Sequence, residues 1–254
     1  MTQDPAQPSR TAGAPFPQRI WRYASIVTIL LIGLMVVALL FPWIPDRRRQ
    51  QLKQRWSRSL LAALGIGLEV RGTAPPAGSM IVANHVSWVD IFALNALTPA
   101  AFVSKAEVRQ WPLIGWLSRH NDTVFLRRGS RGHARIVNAE IIRLMQSGKP
   151  VALFPEGTTT DGSHLLHFHG ALLQPAIDAG APIAGVAIRY CNRDGSLSTA
   201  PAYIGDMSLI QCIANIVGSR GLRVRLSCLP PIVDDHGHRK VLNTRLHEAI
   251  AAEL

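Results

Sequence analysis

Residues 83–92, ANHVSWVDIF, contain the first pair of groups suited to joint chemistry: His85 and Asp90, five positions apart. A neutral imidazole held by a carboxylate is a base that can take a proton from a hydroxyl near neutral pH. No regular element brings this pair together. Five helical residues turn roughly 140° past a full turn, and an odd step along a strand puts side chains on opposite faces. A break just after the histidine removes the difficulty. Residues 79–83 read as a short apolar strand, and Ser87 followed by Asp90 reads as a capping-box-like helix start. The strand then ends near Asn84, His85 occupies the turn, and Asp90 leans back from the first helical turn. The bland alternative is that Asp90 caps its own helix and His85 is an ordinary loop histidine.

Other stretches offer ligand-binding groups. In FPEGTTTDG, residues 154–162, an apolar run ends in Glu156 and Gly157, followed by Thr158, Thr159 and Thr160. That is the form of a ligand-facing loop at a strand's C-terminal end, with a glycine that lets the backbone approach closely. In TVFLRRGSR, residues 123–131, Arg127 and Arg128 are suited to bidentate binding of phosphate or carboxylate. In FVSKAEVRQWPLIGWLS, residues 102–118, Lys105 follows a strand, and Trp111, Pro112, Leu113, Ile114 and Trp116 form a bulky apolar stretch. That stretch walls an acyl-chain groove or belongs to the core. Each of these signals has a plain structural reading as well: a turn, a solvated charge run, a core segment.

The elements that must position these groups alternate. Strands are expected at 80–83, 101–104, 123–126, 150–154, 182–188 and 223–228, and helices at 87–96, 114–119, 133–147, 171–179 and 239–253. This order implies an α/β fold with a largely parallel sheet flanked by helices. The expected organisation is a disordered segment at 1–18, a transmembrane or re-entrant helix at 19–45, a basic amphipathic helix at 46–69 and a catalytic domain at 70–254. From Tyr23 to Ile44 the chain is uncharged and apolar, enough to cross the hydrocarbon core, with Trp21, Tyr23 and Trp43 at its ends. Arginines and lysines crowd residues 47–58 after it, which places the C-terminal side in the cytoplasm. Pro42 and Pro45 leave a re-entrant hairpin open. In the next helix Leu52, Trp56, Leu60 and Leu64 recur every four residues between basic ones, the pattern of a helix on a bilayer surface, or else of one facing the core.

The 254 residues carry a net charge of +11 and a hydrophobic content of 48%. So basic a chain favours an anionic partner. Aromatic residues are only 6%, and no basic–aromatic stretch suits base stacking, so the partner is an anionic membrane surface rather than nucleic acid. Cys191, Cys212 and Cys228 form no metal-like cluster, and free thiols are expected.

Taken in order, NHVSWVD, FVSK with PLIGWL, VFLRR, FPEGTTTDG and PIAGVAIRY at 182–190 resemble the 1-acylglycerol-3-phosphate acyltransferase family of glycerolipid acyltransferases. The most specific part is the histidine–four–aspartate block with Phe-Pro-Glu-Gly-Thr about seventy residues later. The resemblance implies His85 as general base and Asp90 as its orienting carboxylate. It implies that Arg127, with Arg128 beside it, meets the acceptor head group, that Glu156, Gly157 and Thr158 shape the acceptor site, and that Pro182 and Ile183 line the acyl-donor side. No metal and no bound cofactor are implied. The co-substrate is acyl-CoA or acyl carrier protein, the acceptor a lysolipid in the bilayer, and the location the cytoplasmic face of the cell membrane.

The implied acceptor is 1-acyl-sn-glycerol-3-phosphate, giving phosphatidic acid. Two departures bear on it. Thr159 and Thr160 stand where the family often has Arg-Ser, and Phe168-His169-Gly170 stands where it often has a lysine-rich Phe-Lys-Lys-Gly. Two cations that could face a phosphate are missing, which keeps lyso-ornithine lipid, or another acceptor without a phosphate, as the alternative. A rival of another class is a membrane-anchored lipid-binding protein without turnover. The donors for the tetrahedral oxyanion are either backbone N–H groups near Ser87 or those of the Glu156–Thr158 loop.

Overall fold

The structure is a computed structural model and describes residues 13–110, 114–126, 131–233 and 239–254. The chain runs α1 (Phe16–Leu39), α2 (Asp46–Leu64), β1 (Gly67–Arg71), β2 (Met80–Ala83), α3 (Asp90–Leu97), β3 (Ala101–Lys105), α4 (Ile114–Arg119), β4 (Val124–Leu126), α5 (Arg131–Gln146), β5 (Val151–Leu153), α6 (Gln174–Asp178), β6 (Ile183–Cys191), α7 (Leu209–Gly218), β7 (Arg223–Cys228) and α8 (Arg239–Ala251). Among the described residues seven strands form one sheet in the order β1-β7-β6-β2-β5-β3-β4. All neighbours are parallel except β6 and β7.

Alternation along the strands divides the core in two. Ile81 and Ala83 of β2 face a layer built from α2, α3 and α7, whereas Met80 and Val82 face α5, α6 and α8. The strand β2 lies between β5 and β6, so crossovers leave it in both directions. Open parallel sheets hold their ligands at such a switch point, beyond the carboxyl ends of the strands. His85 leaves β2 at that place.

Two elements were not expected. The strand β1, GLEVR, is a mostly exposed edge strand in which Leu68 and Val70 alternate with Glu69 and Arg71 over only five residues. It pairs with β7 and lies across the boundary drawn at residue 70. The helix α7, LIQCIANIVG, is a short uncharged run in a region without a readable motif.

The N-terminal helices also differ from expectation. Helix α1 already begins at Phe16, inside the segment read as disordered, with a proline in its first turn where no N–H needs a partner. The apolar stripe of α2 is used by the core, not left for a bilayer: Ser57, Leu60, Leu61, Ala63 and Leu64 are buried. The chain reverses through a short 3-10 turn at Phe41–Trp43, and α1 returns along α2. Trp56 of α2 donates its indole N–H to the Ile29 carbonyl at 2.8 Å. Gly33 makes that approach possible, since a Cβ there would stand 2.3 Å from the Trp56 nitrogen. The outer face of α1 stays exposed and apolar, and Phe16–Trp43 is long and apolar enough to cross a membrane.

At the opposite end of the sheet from His85, α2 carries a buried cation. Lys53 donates to the Ala100 carbonyl at 2.9 Å. Nearby, Lys149 bridges Asp46 at 3.0 Å and Asp122 at 2.8 Å. Burial pulls the Lys53 ammonium down to about 8, with Asp122 opposing. Burial also pulls on Lys149, but its bonds to Asp122 and Asp46 outweigh this and raise it. Between about 8 and the ordinary lysine value of 10.5 the unfolded chain therefore holds the Lys53 proton and the folded chain does not. The Lys53 contribution to stability should rise with pH across that window, by on the order of a few kcal/mol. The Lys149 contribution is lost only above it. Burial raises the Cys212 and Cys228 thiols, which works against this rise above about pH 9. The measurement is therefore the difference in denaturant midpoint between the parent chain and Lys53→Met, which should grow in the parent's favour from pH 7.5 to 10; a constant difference would refute it.

Candidate active site

The loop after β2 places His85 and Asp90 together without a regular element between them. The strand ends at Ala83, residues 84–87 form an irregular turn, and α3 begins at Asp90. Helix α3 therefore starts three residues later than expected, and Ser87 is not its N-cap. The carboxylate of Asp90 itself closes the turn. Its Oδ2 accepts from Val86 N–H at 2.7 Å, from Ser87 N–H at 2.9 Å and from His85 Nδ1 at 2.8 Å. Its Oδ1 accepts from the Tyr190 hydroxyl at 2.7 Å. Asp90 is fully buried. Because the carboxylate only accepts, the network assigns the Nδ1–H tautomer to His85 and leaves a lone pair on Nε2. Among the described residues Nε2 has no hydrogen-bond partner, and the side chain is 20% exposed. The pair is thus a base with its lone pair directed outward from a fully buried support.

A second carboxylate holds the backbone of the same histidine. Glu156, just after β5, accepts from His85 N–H at 2.8 Å through one oxygen and from Leu166 N–H at 2.8 Å through the other. Burial raises its pKa, while the Leu166 and His85 amides oppose the rise. Its carboxylate is committed to the backbone. Any part Glu156 plays in shaping an acceptor site is therefore exercised through His85 and the 155–169 loop. That loop closes on itself through His169 N–H to the Pro155 carbonyl at 3.0 Å, and Thr160 N–H reaches the His85 carbonyl at 2.9 Å. Gly157 turns the chain with φ at +68°, which a side chain would strain. Thr158 is exposed beside it.

Three further contributors lie inside the blocks read from the sequence, but their parts in the site were not read there. Phe154 stacks on the His85 ring, with centroids 3.9 Å apart and planes 8° from parallel. Asn84 clamps β2 to β6, donating to the Ile188 carbonyl at 2.9 Å and accepting Ile188 N–H at 2.7 Å. Tyr190, at the end of β6, is fully buried; burial first and then the neighbouring Asp90 push its hydroxyl well above the usual tyrosine range, so it stays a donor. The order NH…Y across two hydrophobic strands contains all three polar groups, but pairing them requires the knowledge that β2 and β6 are neighbours.

Other expected residues fall elsewhere. Arg127 and Arg128 lie outside the described residues, as do Trp111, Pro112 and Leu113. Ile183 pairs with Met80 at the start of β2, so Pro182 and Ile183 stand at the end of the sheet away from His85. Parallel pairing puts the first residues of both strands together, and only the last residues of β6 reach the site. Among the described residues no group of three or more His, Cys, Asp or Glu is placed to hold a metal ion.

The two-oxygen grip of Glu156 has a checkable consequence. Glu156→Gln keeps one acceptor and turns a donor toward the other amide. Hydrogen bonds to charged groups contribute about 1.5–3 kcal/mol. Exchange of the Leu166 or His85 amide should therefore quicken by roughly ten- to a hundredfold; unchanged protection in both would contradict the grip.

The chain is similar to known proteins. The family model described as Acyltransferase matches residues 67–189. A lyso-ornithine lipid O-acyltransferase of Pseudomonas aeruginosa is 39% identical, over 88% of this chain and 90% of its own. A 1-acyl-sn-glycerol-3-phosphate acyltransferase of Neisseria meningitidis is 40% identical, over 77% of both chains. The crystal structure of the 1-acyl-sn-glycerophosphate (LPA) acyltransferase from Thermotoga maritima superposes with a TM-score of 0.68 over 93% of this chain and 95% of that one. At 21% identity this likeness bears on the fold, which the two share. Relatives of such identity along most of both chains, together with the family model, establish that this chain belongs to the acyltransferase family.

Proposed function

We propose that this chain moves a fatty acyl group from a thioester, on coenzyme A or acyl carrier protein, to the free hydroxyl of a lysolipid. The observation that carries the reading is the buried Asp90 carboxylate holding His85 with Nε2 turned outward. His85 takes the proton of the lipid hydroxyl, and the oxygen attacks the thioester carbonyl carbon. The tetrahedral oxyanion collapses, the carbon–sulfur bond breaks, and the imidazolium returns its proton to the departing thiolate. Asp90 holds the tautomer and stabilises the imidazolium, as in a hydrolase triad with the lipid hydroxyl in the place of serine. Tyr190 holds Asp90. The Val86 and Ser87 N–H groups are spent on Asp90. The Gly157 N–H is also spent, on the Phe154 carbonyl at 3.1 Å, so the reading takes the Thr158 and Thr159 amides as the oxyanion donors.

The acceptor reading is 1-acyl-sn-glycerol-3-phosphate, with Arg127 and Arg128 at its phosphate and Gly157 and Thr158 beside it. A second reading, lyso-ornithine lipid, is favoured by the loop 155–169, which contains no lysine or arginine, and by the Pseudomonas relative that matches along nearly the whole chain. We place the protein at the cytoplasmic face of the cell membrane, where the acyl donor is found. Trp56 holds α1 alongside the domain, with basic α2 beside it. We therefore read α1 as seated in one leaflet with its exposed face in lipid, the re-entrant alternative, rather than as a free crossing span. The residues from Asp46 onward, β1 included, then form one catalytic unit.

The test offers lysophosphatidic acid and lyso-ornithine lipid in parallel, each with labelled acyl-CoA and with labelled acyl carrier protein. His85→Ala should lower turnover about a thousandfold and leave vesicle binding unchanged; an active alanine variant would sink the proposed base. Tyr190→Phe should lower kcat about tenfold at constant KM, as expected for the loss of one hydrogen bond to a charged group.

A further inference from the structure

The segment that walls the other side of the His85 loop, residues 203–210, exposes three aliphatic residues and one aspartate, Asp206. Tyr203 N–H donates to the Val86 carbonyl at 2.9 Å, and the Thr159 hydroxyl donates to the Tyr203 carbonyl. Beyond Tyr203 the chain exposes Ile204, Leu209 and Ile210, the last at 79%. From Met207 to Ser219 it carries no charged residue. Ser208 and Gln211 form a full capping box at the start of α7, so the N-terminus is satisfied by neutral groups and the two exposed aliphatic residues sit on a rigid first turn.

The other end of α7 is fastened to α1. Ala14 N–H donates to the Gly218 carbonyl at 2.8 Å. The buried Arg22 guanidinium donates to the Val217 and Ser219 carbonyls at 2.8 and 2.7 Å, a cation at a helix C-terminus. Helix α1, whose outer face is exposed and apolar, is therefore fastened to α7, and α7 leads back to the loop beside His85. Arg19 and Arg220 flank the junction. Exposed aliphatic residues set among the polar Asp206, Gln211 and Asn215, bordered by arginines and fastened to a helix apolar enough to enter a membrane, fit the boundary between lipid head groups and acyl chains.

We propose that the 204–210 turn and the outer face of α7 form a second lipid-contacting surface, which lays the bilayer against the mouth of the active site. This rests on the reading of α1 as seated in one leaflet. The surface gives a bilayer-resident lysolipid a path from lipid to His85 along Ile210, Leu209 and Ile204, without passage through water.

The test uses the full chain added to preformed phosphatidylethanolamine–phosphatidylglycerol vesicles. In a Cys228→Ser background, an environment-sensitive nitrobenzoxadiazole label is placed on Ile210→Cys, or on Val241→Cys of α8 on the opposite layer. The expected result is a blue-shifted Ile210 label protected from dithionite and a Val241 label reduced promptly. Prompt reduction at both sites, in protein that still floats with the vesicles, overturns the proposal and leaves the α1 reading standing. Failure to float overturns both. A blue shift without vesicles, together with a doubled mass by light scattering, assigns the face to a second copy of the chain and overturns the lipid assignment. In the activity arm, Ile210→Glu should lower transfer to vesicle-borne lysolipid about tenfold, as removal of one buried aliphatic contact predicts, and spare transfer to a short-chain lysolipid dissolved as monomer. Equal loss on both substrates marks a structural role and overturns the proposal. A parent chain inactive on every lysolipid refutes the acyl-transfer reading alone, since the label reports α7 without turnover.

Discussion

A carboxylate with no exposure to water has to be solvated by the protein, and Asp90 is that carboxylate. Its four donors come from three parts of the structure: the His85 ring, two amides of the turn after β2, and a hydroxyl at the end of β6. Removing any one leaves a buried charge short of a partner, which costs more than the bond itself contributes. This requirement reaches beyond the site. It demands that β2 and β6 be neighbours, that their ends be level, and that the chain break its regular structure between His85 and Asp90. The Asn84 clamp to Ile188 meets the second demand one residue before the histidine.

Glu156 answers the same problem differently. Its two oxygens take one amide from each of two loops, so the acid serves as a staple between β2's turn and the 155–169 loop. Together the two carboxylates fix both ends of His85: Asp90 holds its ring and Glu156 its backbone, while Phe154 presses on the ring face. In the proposed reaction, preorganisation of this kind would let a weak base act without a reorganisation cost.

The pairing of His85 with Asp90 could be read from the chain because it is local: a strand signal, a turn and a helix start lie within ten residues. The α/β alternation was legible for the same reason, and the expected strands at 80–83, 101–104 and 223–228 match closely. What stayed hidden depends on strand order. Tyr190 and Asn84 meet their partners across a sheet, and Phe154 meets His85 only because β5 runs beside β2. The edge strand β1 alternates Leu68 and Val70 with Glu69 and Arg71, but the run is short and mostly exposed, so it gives little signal. The α2 stripe was visible, but a stripe alone does not say whether lipid or protein covers it.

The contact of Trp56 with α1 has a consequence for the whole enzyme. A flexible tether would let a catalytic domain wander through a volume set by linker length, and it would meet its substrate at a correspondingly diluted effective concentration. Here the indole is keyed into a notch at Gly33, with no linker between anchor and domain. Seated in a bilayer as proposed, α1 would act as a keel: the geometry of two packed helices would set the height of His85 above the hydrocarbon, and a lipid hydroxyl at that height would be the one presented to it.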